Sequence, residues 1–420
     1  MLKKYLKSDF SRNVLTLITG TIIAQALPIA ISPILTRIYT PSDFGVLALF
    51  VAFASVFGTI ANARYELAII IPKSEKEALS IFILGIIIAF FLSLILLIIV
   101  LLFHNEIVTL LDNEEISIWL YFIPLSVFAI GIFNALNYYN TRLKKFKNIA
   151  QSNVIKSTTL SLLNLGIGAI KTGALGLIIG QFISYFSGNI KLSVPIFKNK
   201  DILREINIQD IKSVAFRYRN FPKYTMPSSL ANVLSQNLTA FITSILFSVK
   251  TLGFYSFSLK IIGTPSALIG QSFGQVYIDE ASRQRKEIGN AIQVFDSTLK
   301  KLILISLPIF GLIFFVAEDA FAIIFGEEWR IAGVYAKILI PLFCMKFILA
   351  PISVTNSVFE KQHISLLWQL GLLIITLLIF LIAYLYNQDF KSFLYFYSGT
   401  LSIYYIFFIF ILRKVSKASL

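Results

Sequence analysis

The chain is 420 residues long, 57% hydrophobic and 14% charged, with a mean hydropathy of +0.79, which excludes a soluble domain of ordinary polarity. Its formal net charge is +15, and its one cysteine, Cys344, excludes a disulfide framework or a cysteine-based metal site. The apolar residues gather into long runs, so lipid is the solvent this sequence suits.

Twelve runs are long enough to cross a hydrocarbon layer of about 30 Å, which takes roughly 20 residues of helix. In chain order they are residues 14–38, 44–63, 78–103, 116–139, 149–170, 174–196, 224–249, 252–277, 297–316, 331–354, 364–386 and 390–412. The first follows Lys3, Lys4 and Lys7 and lacks a small-residue cleavage site, so it reads as an uncleaved helix. The longest gap, 197–223, has 27 residues. No gap is large enough to fold alone, so any chemistry belongs inside the helix bundle or at its mouths.

Basic residues orient the chain. With a cytoplasmic N-terminus, the inside segments carry 25 Lys/Arg and the outside gaps carry five, namely Arg37, Lys171, Lys250, Arg330 and Lys391. That bias predicts that both termini are cytoplasmic and explains the net charge without nucleic acid. The basic central segment, with Lys198, Lys200, Arg204, Lys212, Arg217, Arg219 and Lys223, reads as a partner of anionic membrane lipids.

Dividing the chain at that segment gives an N-terminal half, 1–196, a basic linker, 197–223, and a C-terminal half, 224–420, with six spans in each half. The halves open alike, Pro33–Thr40 leading to Gly45 and Ser244–Thr251 leading to Gly253. The expected fold is an all-α polytopic membrane protein, its twelve transmembrane helices in two six-helix lobes related by a pseudo-two-fold along the membrane normal. Transporters built from such repeats hold substrate between the halves, near the bilayer midplane.

Ionisable residues at bilayer depth cost at least about 2.5 kcal/mol each and need a reason. Lys260 lies roughly 13 Å into the eighth span, taking about 1.5 Å per residue, and Lys346 is at similar depth in the tenth. Lys337 and Lys156 are shallower, and snorkelling accounts for them, although Lys156 stays among the candidate cavity cations. The acids available as partners, Asp43, Glu66, Asp279 and Glu280, all sit near span ends. Buried charge is normally paired, so excess cation at depth points to a water-filled cavity that receives an anion such as a phosphate.

Uncharged amides recur on the same spans: Gln25, Asn134, Asn137, Asn164, Gln181, Asn232, Gln236, Asn237, Gln271 and Gln275. In membrane helices such groups more often join helices than bind ligands, yet sugars are recognised by amides and aromatic faces. Pro28, Pro33, Pro265 and Pro308 interrupt helical runs and allow bends. Gly166-Ile167-Gly168 reads as helix packing.

Tyr39-Thr40-Pro41-Ser42-Asp43-Phe44-Gly45, followed by Ala63-Arg64-Tyr65-Glu66-Leu67-Ala68-Ile69-Ile70-Ile71-Pro72-Lys73, resembles the N-terminal signature of the Wzx-type O-antigen and polysaccharide flippases. These belong to the multidrug/oligosaccharidyl-lipid/polysaccharide exporter superfamily. Asn137-Tyr138-Tyr139 with Arg142-Leu143-Lys144-Lys145-Phe146, and Leu252-Gly253-Phe254-Tyr255 with Gly270-Gln271-Ser272-Phe273-Gly274, extend the resemblance over most of the chain. It implies translocation of an undecaprenyl-diphosphate-linked oligosaccharide from the cytoplasmic to the periplasmic leaflet of a bacterial inner membrane by alternating access. It further implies proton or sodium coupling instead of a cofactor, with a polysaccharide polymerase and a chain-length regulator as partners.

On that reading Arg64, Lys260, Lys346 and Lys156 meet the pyrophosphate, while Arg37, Asp43 and Glu66 gate the passage or couple it to an ion. Arg64 and Glu66, two apart on a helix, diverge by about 200° and are not expected to pair. Arg37 either locks an outer gate with Asp43 or anchors its helix. A cation-coupled multidrug exporter of the same superfamily is a rival, but it favours carboxylates deep in the first helices, and none lies in 20–34. A membrane-embedded polymerase or ligase is a second rival. It needs a placed acid, base or metal site, whereas His104 and His363 sit at span edges and no zinc or phosphate-loop pattern occurs.

Overall fold

The computed structural model describes residues 9–111, 113–171, 173–198 and 205–417, and every regular element among them is a helix. Lys3, Lys4, Lys7, Lys200 and Arg204 lie outside the described residues, as do the side chains of Gln271 and Gln275. Twelve described helices have 20 residues or more. They are α1 (Asp9–Ala30), α2 (Pro41–Ile60), α3 (Glu75–Leu102), α4 (Phe122–Arg142), α5 (Phe146–Gly168) and α6 (Leu175–Lys198), then α7 (Met226–Leu246), α8 (Val249–Ile288), α9 (Ile292–Phe325), α10 (Arg330–Ile352), α11 (Gln362–Leu385) and α12 (Phe390–Lys417).

Eight segments, centred on α1 to α4 and α9 to α12, are long and apolar enough to cross a membrane by length and composition. The middle four, α5 to α8, are just as long but more polar, carrying among others Lys156, Gln181, Gln236 and Lys260. On α3, Phe90, Phe91 and Leu102 are 53%, 56% and 69% exposed. Apolar side chains on the outside and polar ones within is the pattern of a protein solvated by lipid.

Local chemistry sets the helix ends. α1 stops at Ala30, and a short helix, Ser32–Ile38, resumes after it. Pro33 lacks the N–H that would bond the Ile29 carbonyl, which the Ser32 hydroxyl takes instead, so the break falls where the sequence expects a bend. By contrast α8 and α9 run on through Pro265 and Pro308. At 40 and 34 residues these two helices outlast a bilayer, and α8 carries Asp279 and Glu280 on its extension. The start of α2 is a capping box: the Asp43 backbone N–H donates to Thr40 Oγ1 (3.3 Å), and the Thr40 N–H donates to Asp43 Oδ2 (2.8 Å). Pro41 at the first helical position adds a preset φ.

The chain divides into two compact units, Met1–Lys250 and Thr251–Leu420. In the first, Tyr39 is 2% exposed and donates its hydroxyl to the Asn164 carbonyl (2.6 Å). A methyl group added at either Gly168 or Gly176 would overlap that phenol, so these two glycines form its slot between α5 and α6. Gly168 thus serves packing, as the sequence suggests. α7 lies against α2, where the rings of Phe53 and Phe241 meet at 4.7 Å.

In the second unit, α8 packs along α10. The Ser258 hydroxyl donates to the Ala332 carbonyl (2.7 Å), Gly263 abuts the Phe343 ring, and Gly270 faces Ala350. Trp329 fits against Phe257 (4.5 Å) and Phe254 (5.7 Å) at one end. On α11 and α12, Trp368 stacks on Tyr404 (4.0 Å) and Phe408 (4.1 Å). Offset and edge-on aromatic pairs of this kind contribute roughly 0.5–1.5 kcal/mol each beyond their burial.

Candidate functional site

Beyond Ile60 the sequence expectation of a helix through Ala63 fails. Ala63 (φ 48°) and Arg64 (φ 64°) are both left-handed, and a 3-10 turn, Tyr65–Ile70, follows. Two consecutive non-glycine residues in this region cost on the order of 1–3 kcal/mol each, so their surroundings must hold them there. Asn62, 1% exposed, donates to the Gly85 carbonyl (3.1 Å), while Ala68 and Ile69 are fully buried. From α4, Arg142 reaches Glu75 (3.2 Å) and the carbonyls of Ile69 (3.3 Å) and Pro72. The Tyr139 hydroxyl donates to Glu75 (2.5 Å). The Arg-Tyr-Glu stretch and the Asn-Tyr-Tyr-x-x-Arg stretch, both singled out in the sequence, therefore meet in space.

This backbone reversal corrects one expectation. Arg64 and Glu66 do pair, Nη1 to Oε1 at 3.3 Å, because Arg64 itself is left-handed and a 3-10 turn follows it, so the two side chains are not set by α-helical spacing. Glu66 is 1% exposed. Its Oε2 and the Arg64 Nε are both buried with no hydrogen-bond partner. Burial holds the Glu66 carboxyl above the usual carboxylate range, and Arg64 offsets part of that rise.

Arg64 opens onto a cavity of about 720 Å³ inside the first unit, walled by α2, α4, α5, α6 and α7. Lys156 lines the same space, its ammonium over the rings of Phe133 (5.1 Å) and Tyr185 (4.8 Å). These π faces partly replace the water it has lost. Asn134, Gln181, Gln236 and Asn237 complete the polar lining. The structure thus brings together two of the sequence-predicted cations and four of the singled-out amides.

In the second unit, Lys346 lies over the Phe343 ring (5.4 Å), and that ring also abuts Gly263, one turn beyond Lys260. Among the described residues, Lys156, Lys260 and Lys346 have no carboxylate partner within 4.0 Å, whereas the shallower Lys337 approaches Glu318 at 3.9 Å. No group of three or more His, Cys, Asp or Glu among the described residues is placed to hold a metal.

Two remaining candidates sit at helix ends. Asp43 spends its carboxylate on the α2 capping box, and Arg37 donates to the Pro33 carbonyl one turn before it. The central segment forms an amphipathic helix, Ile208–Arg217, that docks on the start of α3. Lys76 meets Asp210 (2.9 Å), and Glu77 takes Arg217 (2.7 Å) and the Tyr218 hydroxyl (3.0 Å). The Tyr65 hydroxyl donates to the Ala215 carbonyl (2.9 Å). Sequence reasoning missed this helix, although its capping box, Asn207 with Asp210, stands in the sequence as a start signal.

These helices and units have the fold of multi-pass membrane transporters of the MOP superfamily. The structure resembles lipid II flippase MurJ in an inward closed conformation at a TM-score of 0.72, with 13% identity over 96% of this chain and 87% of that one. An outward-facing multidrug resistance transporter of the MATE family matches at 0.57, with 12% identity over 99% and 98% of the two chains. A mutant of the Vibrio cholerae MATE transporter VcmN matches at 0.56, with 14% identity over 96% and 95%. No curated protein sequence matches the chain. Residues 34–333 match the profile of the polysaccharide biosynthesis proteins, and the chain belongs to that family.

Proposed function

We propose that this protein flips an undecaprenyl-diphosphate-linked oligosaccharide from the cytoplasmic to the periplasmic leaflet by alternating access, for surface polysaccharide synthesis. The observation that carries the reading is the pairing of Arg64 and Lys156 on one amide-lined cavity in a member of a polysaccharide biosynthesis family. Two cations suit a diphosphate, and amides suit a sugar. At about 720 Å³ the cavity falls within the usual 300–1,000 Å³ of small-ligand sites. Lys260 and Lys346 supply further cation for the anion as it crosses. A drug exporter of the same fold gains nothing from this charge. The protein acts as a transporter and not an enzyme, without a cofactor, and a proton is the natural coupling ion for Glu66. It sits in the inner membrane with both termini in the cytoplasm, next to the polymerase and chain-length regulator that use its product.

Deleting the gene is expected to trap lipid-linked repeat units in the cytoplasmic leaflet, read by leaflet-resolved labelling. Normal surface polysaccharide in the deletion strain refutes the reading. In the complemented strain, Lys260→Ala and Lys346→Ala are expected to reduce export severalfold at unchanged membrane abundance. Full export by both variants assigns these lysines to packing.

A further inference from the structure

Three cavity amides share one orientation. The Asn134 NH2 donates to the Gly58 carbonyl (3.3 Å), the Gln236 NH2 to Asn232 Oδ1 (3.0 Å) and the Asn237 NH2 to the Val233 carbonyl (2.8 Å). Each therefore spends one N–H on protein, and its carbonyl oxygen makes no hydrogen bond with described residues. Joining helices does not explain the pattern. The bonds of Gln236 and Asn237 both stay within α7, and only that of Asn134 crosses, to α2. An amide whose sole bond is to its own helix adds nothing to packing between helices, and it leaves one strong acceptor facing the cavity.

The cavity's chemistry is accordingly divided. Acceptors line the wall of α4 and α7, while the cationic donors Arg64 and Lys156 come from the turn after α2 and from α5. A diphosphate offers acceptors alone and leaves the carbonyl oxygens of the first wall unmet. A ligand satisfies both only if it carries negative charge at one end and several O–H or N–H donors at the other.

We infer that Asn134, Gln236 and Asn237 are the specificity residues of this site, accepting hydrogen bonds from hydroxyls of the sugar nearest the diphosphate. The inference rests on the proposed function and deepens it. The protein therefore senses whether the carrier is glycosylated before moving it, and a bare polyprenyl diphosphate satisfies only the cationic side. These acceptors are part-exposed, so water serves them in the empty cavity; a sugar hydroxyl that takes the water's place adds about one net hydrogen bond, and a bare carrier gains none.

The test uses the purified full-length protein in detergent and two probes, farnesyl diphosphate and the same carrier bearing N-acetylglucosamine. The readout is the ratio of their dissociation constants, so the bare carrier serves as each variant's own reference. Wild type is expected to prefer the glycosylated probe, and Gln236→Met and Asn237→Leu each to cut that preference about fivefold, the scale of one hydrogen bond. Arg64→Ala is expected to weaken both probes together and keep the ratio. A wild type with no preference, or variants that retain it, overturns the inference while leaving the carrier reading intact. Failure of wild type to bind either probe removes both.

Discussion

Arg64 is held at φ 64° beside a carboxylate that it only partly satisfies, for Glu66 Oε2 and Arg64 Nε lack partners. Tyr138 of α4 feels both charges, and Arg142 and Glu75 close the same turn from the other side. Because burial raises the Glu66 carboxyl, the ion pair exists above that raised value and is lost as pH falls through it. Protonation then frees the guanidinium for a phosphate. Binding of farnesyl diphosphate is expected to tighten as pH falls, by at most about tenfold per pH unit for one coupled proton. Glu66→Gln is expected to bind more tightly than wild type at alkaline pH and to lose the dependence. Titrations that run parallel in both proteins contradict this coupling. The sequence exposed these two residues as charges at a span end, but their pairing depended on a left-handed residue that no charge pattern announces.

Among the elements, the Tyr39 lock between α5 and α6 is the clearest case of a resemblance motif with a structural task. Tyr39 is the first residue of that motif, and its hydroxyl reaches Asn164, 125 residues on. Gly176→Ala is expected to destabilise by about 1–3 kcal/mol through overpacking. Tyr39→Phe is expected to cost about 1 kcal/mol for the lost hydrogen bond. Thermal unfolding in detergent measures both, and an unshifted midpoint for Gly176→Ala shows that the slot has room. The spans were legible because twenty apolar residues in a row have few other fates. The docked helix Ile208–Arg217 was hidden because its charges read as partners of anionic lipid headgroups, although its Asp210, Ala215 and Arg217 meet Lys76, Tyr65 and Glu77.

For the whole molecule, the distribution of polarity along the chain carries the most information. The four long helices that fall short of an apolar span are consecutive, α5 to α8, and three of them wall the cavity of the first unit. Alternating access requires contacts between helices that form in one state and open in another. The α2–α7 contact at Phe53 and Phe241 has no hydrogen bond between the two side chains to resist opening. Cysteines placed as Phe53→Cys and Phe241→Cys are expected to cross-link with a short bifunctional reagent and to arrest export, with recovery when a cleavable linker is cut. Undiminished export by the fully cross-linked protein shows that this contact stays closed throughout the cycle.

Residue type and spacing along one axis were enough to give the solvent, the long helices and the charge asymmetry of the segments between them. Tertiary structure alone decided which of those residues share a cavity, that Arg64 and Glu66 pair, and which way the amides turn. Those facts depend on helix rotation and on backbone reversals such as Ala63–Arg64. Hydropathy constrains how deep a residue lies, but it leaves almost free the direction in which a polar side chain points around its helix.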